Sequence, residues 1–256
     1  MRKNKLKQKL LAGEAVFGSF ITMDSPDLVE IFGIAGFDFV IIDNEHGPGN
    51  PHSVQHMLRA AEIRGLDAII RVPNAEQHTI LKALDIGAAG VQVPQVNNVE
   101  TAKGAAQWAH YFPEGTRGLS APRALNYGLG NLLVEESIRS NEETLLICHC
   151  ETVECFGKLD EIASIHGIDV IFVGPFDMSQ SLGVPGQTHH PEVLRIIREA
   201  IGIIKKHGKI GGIFCGSPED VKERTGLGYQ YIGYGVDSGI IGNCLINLSK
   251  QLKAVK

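Results

Sequence analysis

Three titratable side chains, Asp43, Glu45 and His46, fall within four residues in the segment Ile41-Ile42-Asp43-Asn44-Glu45-His46-Gly47-Pro48. The segment continues the apolar run Phe37-Asp38-Phe39-Val40, so a buried strand is predicted to end directly in two carboxylates and an imidazole. Asn or Gly would make a turn without titratable groups, so these residue types point to chemistry. Four other groups stand in comparable places: Arg71 after Ala68-Ile69-Ile70, His149 and Glu151 in Cys148-His149-Cys150-Glu151, and Asp177 after Gly174-Pro175-Phe176. Glu151 and Asp177 are hard oxygen donors, which suits an octahedral Mg²⁺ or Mn²⁺ that keeps positions open for substrate. Either acid alone could equally be a helix N-cap or first-turn carboxylate. His46 has the residue type and setting of a general base. The Arg71 guanidinium must close on a carboxylate, either one of the protein, for which Asp43 would serve, or one of a substrate such as a small 2-oxo acid.

Placing these groups requires a scaffold. Eight short apolar runs recur along the chain, at 15–20, 37–42, 68–72, 90–93, 145–150, 169–173, 210–214 and 229–233. Helical periodicity is predicted between them at 26–35, 54–63, 77–86, 99–110, 153–166, 192–207, 218–224 and 238–252. Ser25 is positioned to cap the helix that Pro26 begins. Eight βα units predict a closed (β/α)₈ barrel, a TIM barrel formed by residues 1–256 as one domain, with a doubly wound open sheet as runner-up. In such barrels chemistry sits at the carboxyl ends of the strands, where Asp43, Glu45, His46, Arg71, Glu151 and Asp177 all fall. Strand parity turns His149 into the barrel one layer below Glu151 and sends Cys148 and Cys150 outward, which argues against a zinc site in this motif. The longest irregular stretch, Tyr111–Gly130, is expected to cover a site or to meet a neighbouring subunit.

Composition narrows the partners. Formal net charge is −5, and no basic patch interleaved with aromatics occurs, so nucleic acid and anionic membrane are not expected partners. The basic amino-terminal stretch lacks an apolar segment of signal-peptide length, and no run reaches the roughly 18 apolar residues of a membrane span, so a cytoplasmic protein is expected. The five cysteines are expected to be reduced and mostly buried. No glycine-rich phosphate loop is present.

The segments "GSFITMDSPDLVEIFGIAGFDFVIIDNEHGP", "IIRVPN", "ILKALDIGAAGVQVPQV", "YFPEGTRG", "ETVECFGKLDEIASIHGIDVIFVGPFDMSQSLG" and "YGVDSGII" resemble, in order, the successive motifs of the HpcH/HpaI aldolases. These are metal-dependent class II pyruvate aldolases, among them the 4-hydroxy-2-oxoheptanedioate, 2-dehydro-3-deoxyglucarate and 2-keto-3-deoxy-L-rhamnonate enzymes. The resemblance runs from about Phe17 to Ile241. It implies reversible retro-aldol cleavage of a 4-hydroxy-2-oxo acid to pyruvate and an aldehyde, with Mg²⁺, Mn²⁺ or Co²⁺ on Glu151 and Asp177. It further implies that His46 moves the proton, that Arg71 holds the carbonyl or enolate oxygen, and that Asp43 orients both. Gly174, Pro175 and Phe176 would border the pyruvate carboxylate. Asp85, lying before the fourth strand, would serve a neighbouring subunit's site, in keeping with a hexamer or trimer in which the carboxyl-terminal helix packs on or exchanges with a neighbour. Two departures from the family pattern stand out: His149 where Gln is usual, and the large Phe176 where a small residue is usual. Oxaloacetate decarboxylation at the same site and a non-catalytic 2-oxo acid binding barrel are the alternatives.

Overall fold

The apolar runs form eight parallel strands: β1 (Val16–Ile21), β2 (Phe39–Asp43), β3 (Asp67–Arg71), β4 (Gly90–Val93), β5 (Leu145–Cys150), β6 (Val170–Val173), β7 (Ile210–Cys215) and β8 (Tyr231–Val236). They pair in sequence order, and β8 returns to β1, giving a closed barrel rather than an open sheet with two edges. The structure is a computed structural model describing residues 3–130 and 132–255. Met1 and Arg2 of the basic amino-terminal stretch therefore lie outside the described residues.

Helices alternate with the strands: α1 (Lys5–Leu11), α2 (Pro26–Ile34), α3 (Pro51–Ile63), α4 (Gln77–Asp85), α5 (Val99–Ala109), α6 (Leu133–Glu143), α7 (Val153–Gly157), α8 (Leu159–Ala163), α9 (Pro175–Ser181), α10 (Pro191–Lys206), α11 (Pro218–Leu227) and α12 (Asp237–Ala254). Local chemistry starts them where expected. Ser25 accepts the Leu28 N–H at α2, Asn98 accepts that of Thr101 at α5, and Ser217 accepts that of Asp220 at α11. Three helices are absent from the sequence expectation. α1 is a single short element whose apolar face is only Leu6 and Leu10, α9 follows directly on the β6 rim, and α6 buries Glu136, Ser137, Ser140 and Asn141 rather than an apolar stripe. The helix predicted over 153–166 is instead split at Lys158, whose φ of −114° and ψ of 9° break the α-helical run between α7 and α8.

Two cores lie on either side of the barrel wall. Inside, Phe20, Phe39, Ile41, Ile69, Leu145, Ile147, Val170, Phe172 and Tyr231 fill the interior, and Leu6 and Leu10 of α1 pack with them to close the amino end. Outside, Val40, Ile42, Val91, Cys148, Cys150, Ile171 and Ile213 meet the helices. The two-residue period of a strand explains this division, and it sends both Cys148 and Cys150 away from His149 as parity predicted. Four cysteines are buried and Cys244, on α12, is exposed. Burial pushes the Cys215 thiol up to about 12. Within the described residues no helix is long and apolar enough to cross a membrane.

The stretch 111–130 does not cover the chain's own strand ends. It follows α5 and so begins at the amino end of the barrel, where the Arg117 N–H donates to the His110 carbonyl (2.8 Å) and Arg123 donates to the Ile86 carbonyl (3.1 Å) and to Glu62 at the end of α3. A cavity of about 580 Å³ lined by Leu58, Glu62, Arg123 and Tyr127 belongs to this same end.

Candidate active site

β2 and β3 are registered so that Asp43 stands opposite Arg71. The two side chains close a fork: Arg71 Nε donates to Asp43 Oδ1 at 2.8 Å and Nη2 to Oδ2 at 2.6 Å. The third nitrogen, Nη1, lies 3.0 Å from Glu45 Oε2, and the guanidinium carbon sits 4.9 Å from the centre of the Phe20 ring. Of five N–H donors on the guanidinium, two, one on each terminal nitrogen, are left for a ligand. Asp43, 2 % exposed, also accepts the backbone N–H groups of Glu45 (3.0 Å) and His46 (3.3 Å), so it holds the loop that carries the histidine. The carboxylate nearest the imidazole is Glu45, with Oε2 3.9 Å from His46 Nε2, and not Asp43. Burial pushes the Glu45 carboxyl above its ordinary range despite Arg71 beside it. The His46 side chain is 66 % exposed at the mouth.

Across the barrel, Glu151 is 3 % exposed and both its oxygens are engaged. Oε1 accepts the Gln95 N–H at 2.7 Å, and Oε2 lies 2.7 Å from His149 Nδ1. Burial alone would raise the Glu151 carboxyl, but His149, the Gln95 N–H and Arg71 outweigh it and hold the group below the usual carboxylate range. His149 stacks on Phe172, with ring centres 4.9 Å apart, and its Nε2 meets the side-chain amide of Gln92 at 2.7 Å. Gln92 Oε1 accepts the Tyr231 hydroxyl at 3.0 Å. Gln92 and Tyr231 escaped the sequence reading. The available signal was a glutamine in the middle of a four-residue buried strand, which needs a partner wherever it points.

Asp177 stands in the first turn of α9, exposed as a residue but with its carboxylate partly desolvated, and that desolvation together with the charge of Glu151 pushes its pKa up. The two acids converge over Gly174. A Cβ built at that glycine would lie 3.1 Å from Glu151 Oε2 and 3.8 Å from Asp177 Oδ2, so the missing side chain leaves a cradle between two carboxylates, where the charge of Glu151 raises the proton affinity of Asp177. That donor set fits a hard divalent cation. No group of three or more His, Cys, Asp or Glu able to hold a metal occurs among the described residues, so a cation here would have two protein carboxylates and take its other ligands from water and substrate. The amides nearby are restricted. The Gly174 N–H is spent on the Cys150 carbonyl (3.3 Å) and Pro175 has none, leaving the first-turn N–H groups of Phe176 and Asp177. Phe176 leans away from the cradle onto Phe214, edge to face at 5.6 Å, and lines a separate cavity of about 270 Å³ with His189, Ser217, Asp220 and Arg224.

Two other acids, the sequence candidate Asp85 and Asp237, lie apart from this cluster. Asp85 ends α4 at the amino end of the barrel and pairs with the buried Arg117 (2.8 Å). Asp237, at the end of β8, accepts N–H groups of Thr22 and Met23 and the Thr22 hydroxyl, and so ties the end of β8 to the end of β1.

A closed eight-stranded parallel barrel with an arginine, an imidazole and two converging acids on its carboxyl rim has the layout of a (β/α)₈ enzyme acting on a small oxygen-rich substrate. Residues 17–244 match the HpcH/HpaI aldolase/citrate lyase family, and the chain belongs to it. It is 35% identical over 240 residues to the pyruvate aldolase of Rhizobium etli, covering 93% of each chain. It is 31% identical to the 2-keto-3-deoxy-L-rhamnonate aldolase of Shigella sonnei, covering 99% of this chain and 94% of that one. The crystal structure of the citrate synthase SbnG superposes with a TM-score of 0.89 at 32% identity, covering 98% of this chain and 99% of that one.

Proposed function

We propose that the protein is an aldehyde-lyase that cleaves a 4-hydroxy-2-oxo acid reversibly to pyruvate and an aldehyde. The observation carrying this reading is the convergence of Glu151 and Asp177 over Gly174, on the same rim as an arginine already held by Asp43 and Glu45. Mg²⁺, Mn²⁺ or Co²⁺ held by the two acids would supply Lewis-acid polarisation of the 2-oxo group. The free N–H groups of Arg71 meet the oxygen on which negative charge develops as the C3–C4 bond breaks. The remaining amides at Phe176 and Asp177 border the substrate carboxylate. His46, exposed at the mouth, takes the proton of the 4-hydroxyl as the aldehyde forms, and Glu45 stabilises the resulting imidazolium. The enolate carbon then takes up a proton to become the methyl group of pyruvate. Asp85 serves the site of a neighbouring subunit, and α12, which buries only Asp237 in the chain, packs on or exchanges with that neighbour.

The test is exchange of deuterium from solvent into the methyl group of pyruvate, followed by NMR with each cation and with EDTA. Cation-dependent exchange is the expected result, and exchange that persists in EDTA removes the cation from the proposal. A screen of aldehydes under the same conditions identifies the second substrate. The likeness to the citrate synthase SbnG supports a second reading, in which the site joins an acetyl unit to oxaloacetate. Citrate formed from oxaloacetate and acetyl-CoA, without pyruvate exchange, would select it.

A further inference from the structure

The contacts below Glu151 have a direction. The Tyr231 hydroxyl is buried in the barrel interior, where burial keeps it protonated, and its one proton goes to Gln92 Oε1 at 3.0 Å. With its carbonyl so occupied, Gln92 turns its NH₂ toward His149 Nε2 at 2.7 Å, and that nitrogen must present a lone pair. The ring proton is then on Nδ1, 2.7 Å from Glu151 Oε2. All four residues are at most 3 % exposed, so no water competes for these positions. Reversing the chain would require Gln92 to accept from a protonated Nε2 and Tyr231 to accept from Gln92, which leaves either a buried imidazolium or an Nδ1 lone pair facing the Glu151 carboxylate at 2.7 Å.

We propose that Tyr231 and Gln92 fix His149 as its neutral Nδ1–H tautomer, and that His149 is thereby a positioning residue that turns Glu151 toward the Gly174 cradle. The Gln95 N–H holds one carboxylate oxygen and His149 the other, so each oxygen keeps one lone pair for a ligand and the carboxylate cannot rotate. The role of His149 rests on the reading of Glu151 as a cation ligand; the tautomer does not.

Long-range ¹H–¹⁵N correlation of the ¹⁵N-histidine-labelled protein tests the tautomer directly, with the His149 signals assigned by their loss in His149→Gln. The expected wild-type pattern is a protonated Nδ1 and an unprotonated Nε2, and in Tyr231→Phe the Nε2–H form appears beside it as Gln92 loses its orienting donor. An imidazolium or an Nε2–H ring in the wild type overturns the chain. Mn²⁺ affinity, read by electron paramagnetic resonance of the free ion, tests the positioning. His149→Ala is expected to bind about 10–100-fold more weakly, and His149→Gln, whose amide can still donate to Glu151, to recover most of that loss. Unchanged affinity in His149→Ala overturns the positioning role. A wild type that binds no Mn²⁺ overturns the cation reading while the NMR pattern still decides the tautomer.

Discussion

Replacing Asp43 by Asn keeps the volume of the side chain and removes its charge. One of the two oxygens facing Arg71 becomes an NH₂ group pointed at an N–H donor, in a position 2 % exposed. Removing one partner of a buried ion pair costs about 3–5 kcal/mol. Arg71 keeps Glu45 at 3.0 Å and its side chain is 11% exposed, so the lower end of that range, about 3 kcal/mol, is expected. For a domain of this size that is a fall of roughly 6–12 °C in the unfolding midpoint. Arg71→Met alone leaves Asp43 with the N–H groups of Glu45 and His46, so it is expected to cost less, about 1–2 kcal/mol. The double variant is expected to be no less stable than Asp43→Asn alone, giving a coupling of at least about 1–2 kcal/mol. Urea unfolding of the four proteins at one concentration, followed by the fluorescence of the single tryptophan, Trp108, measures all the terms. Strict additivity, within about 0.5 kcal/mol, would refute the claim that the fork organises this rim.

Other changes separate the cradle from the scaffold. Gly174 has φ of −99°, which alanine adopts freely, yet its Cβ would stand 3.0 Å from Glu151 Cβ; Gly174→Ala is expected to lower Mn²⁺ affinity by about tenfold or more, and wild-type binding in calorimetry would remove the cradle from the proposal. The raised pKa of Asp177 means that the folded apo protein holds a proton there at pH values where the unfolded chain, at 3.8, has lost it. Stability from this group is therefore present below that value and lost as pH rises through the raised one, and Mn²⁺ binding in that window releases a proton; calorimetry in two buffers of different ionisation enthalpy detects it, and Asp177→Asn should abolish it. Leu6→Ala, opening the plug that α1 makes in the interior core, is expected to destabilise by about 2–5 kcal/mol. A loss under about 1 kcal/mol in denaturant titration would show that α1 only lies on the barrel.

The strands were legible because each is an apolar β-branched run between turn signals, and the rim acids and arginine followed from where those runs end. The fold also vindicates the parity that turned Cys148 and His149 in opposite directions. What could not be read depended on contacts distant in sequence. Glu45 became the neighbour of Arg71, on the next strand, only through the course of its loop. Gln92 and Tyr231 are 139 residues apart, and nothing local to either names the other. α6 was hidden for a different reason: a helix that buries glutamate, serine and asparagine has no apolar stripe to reveal it.

The two-sided wall of the barrel also sorts the thiols. Cys148, Cys150, Cys155 and Cys215 are sealed in the outer core and Cys244 alone faces outward, so five chemically alike residues reduce to one handle for an electrophile. Because that handle is on α12, the rate at which a maleimide reaches it reports whether this helix stands free or lies against another subunit. A dye or spin label placed there would follow assembly without altering any residue of the catalytic rim.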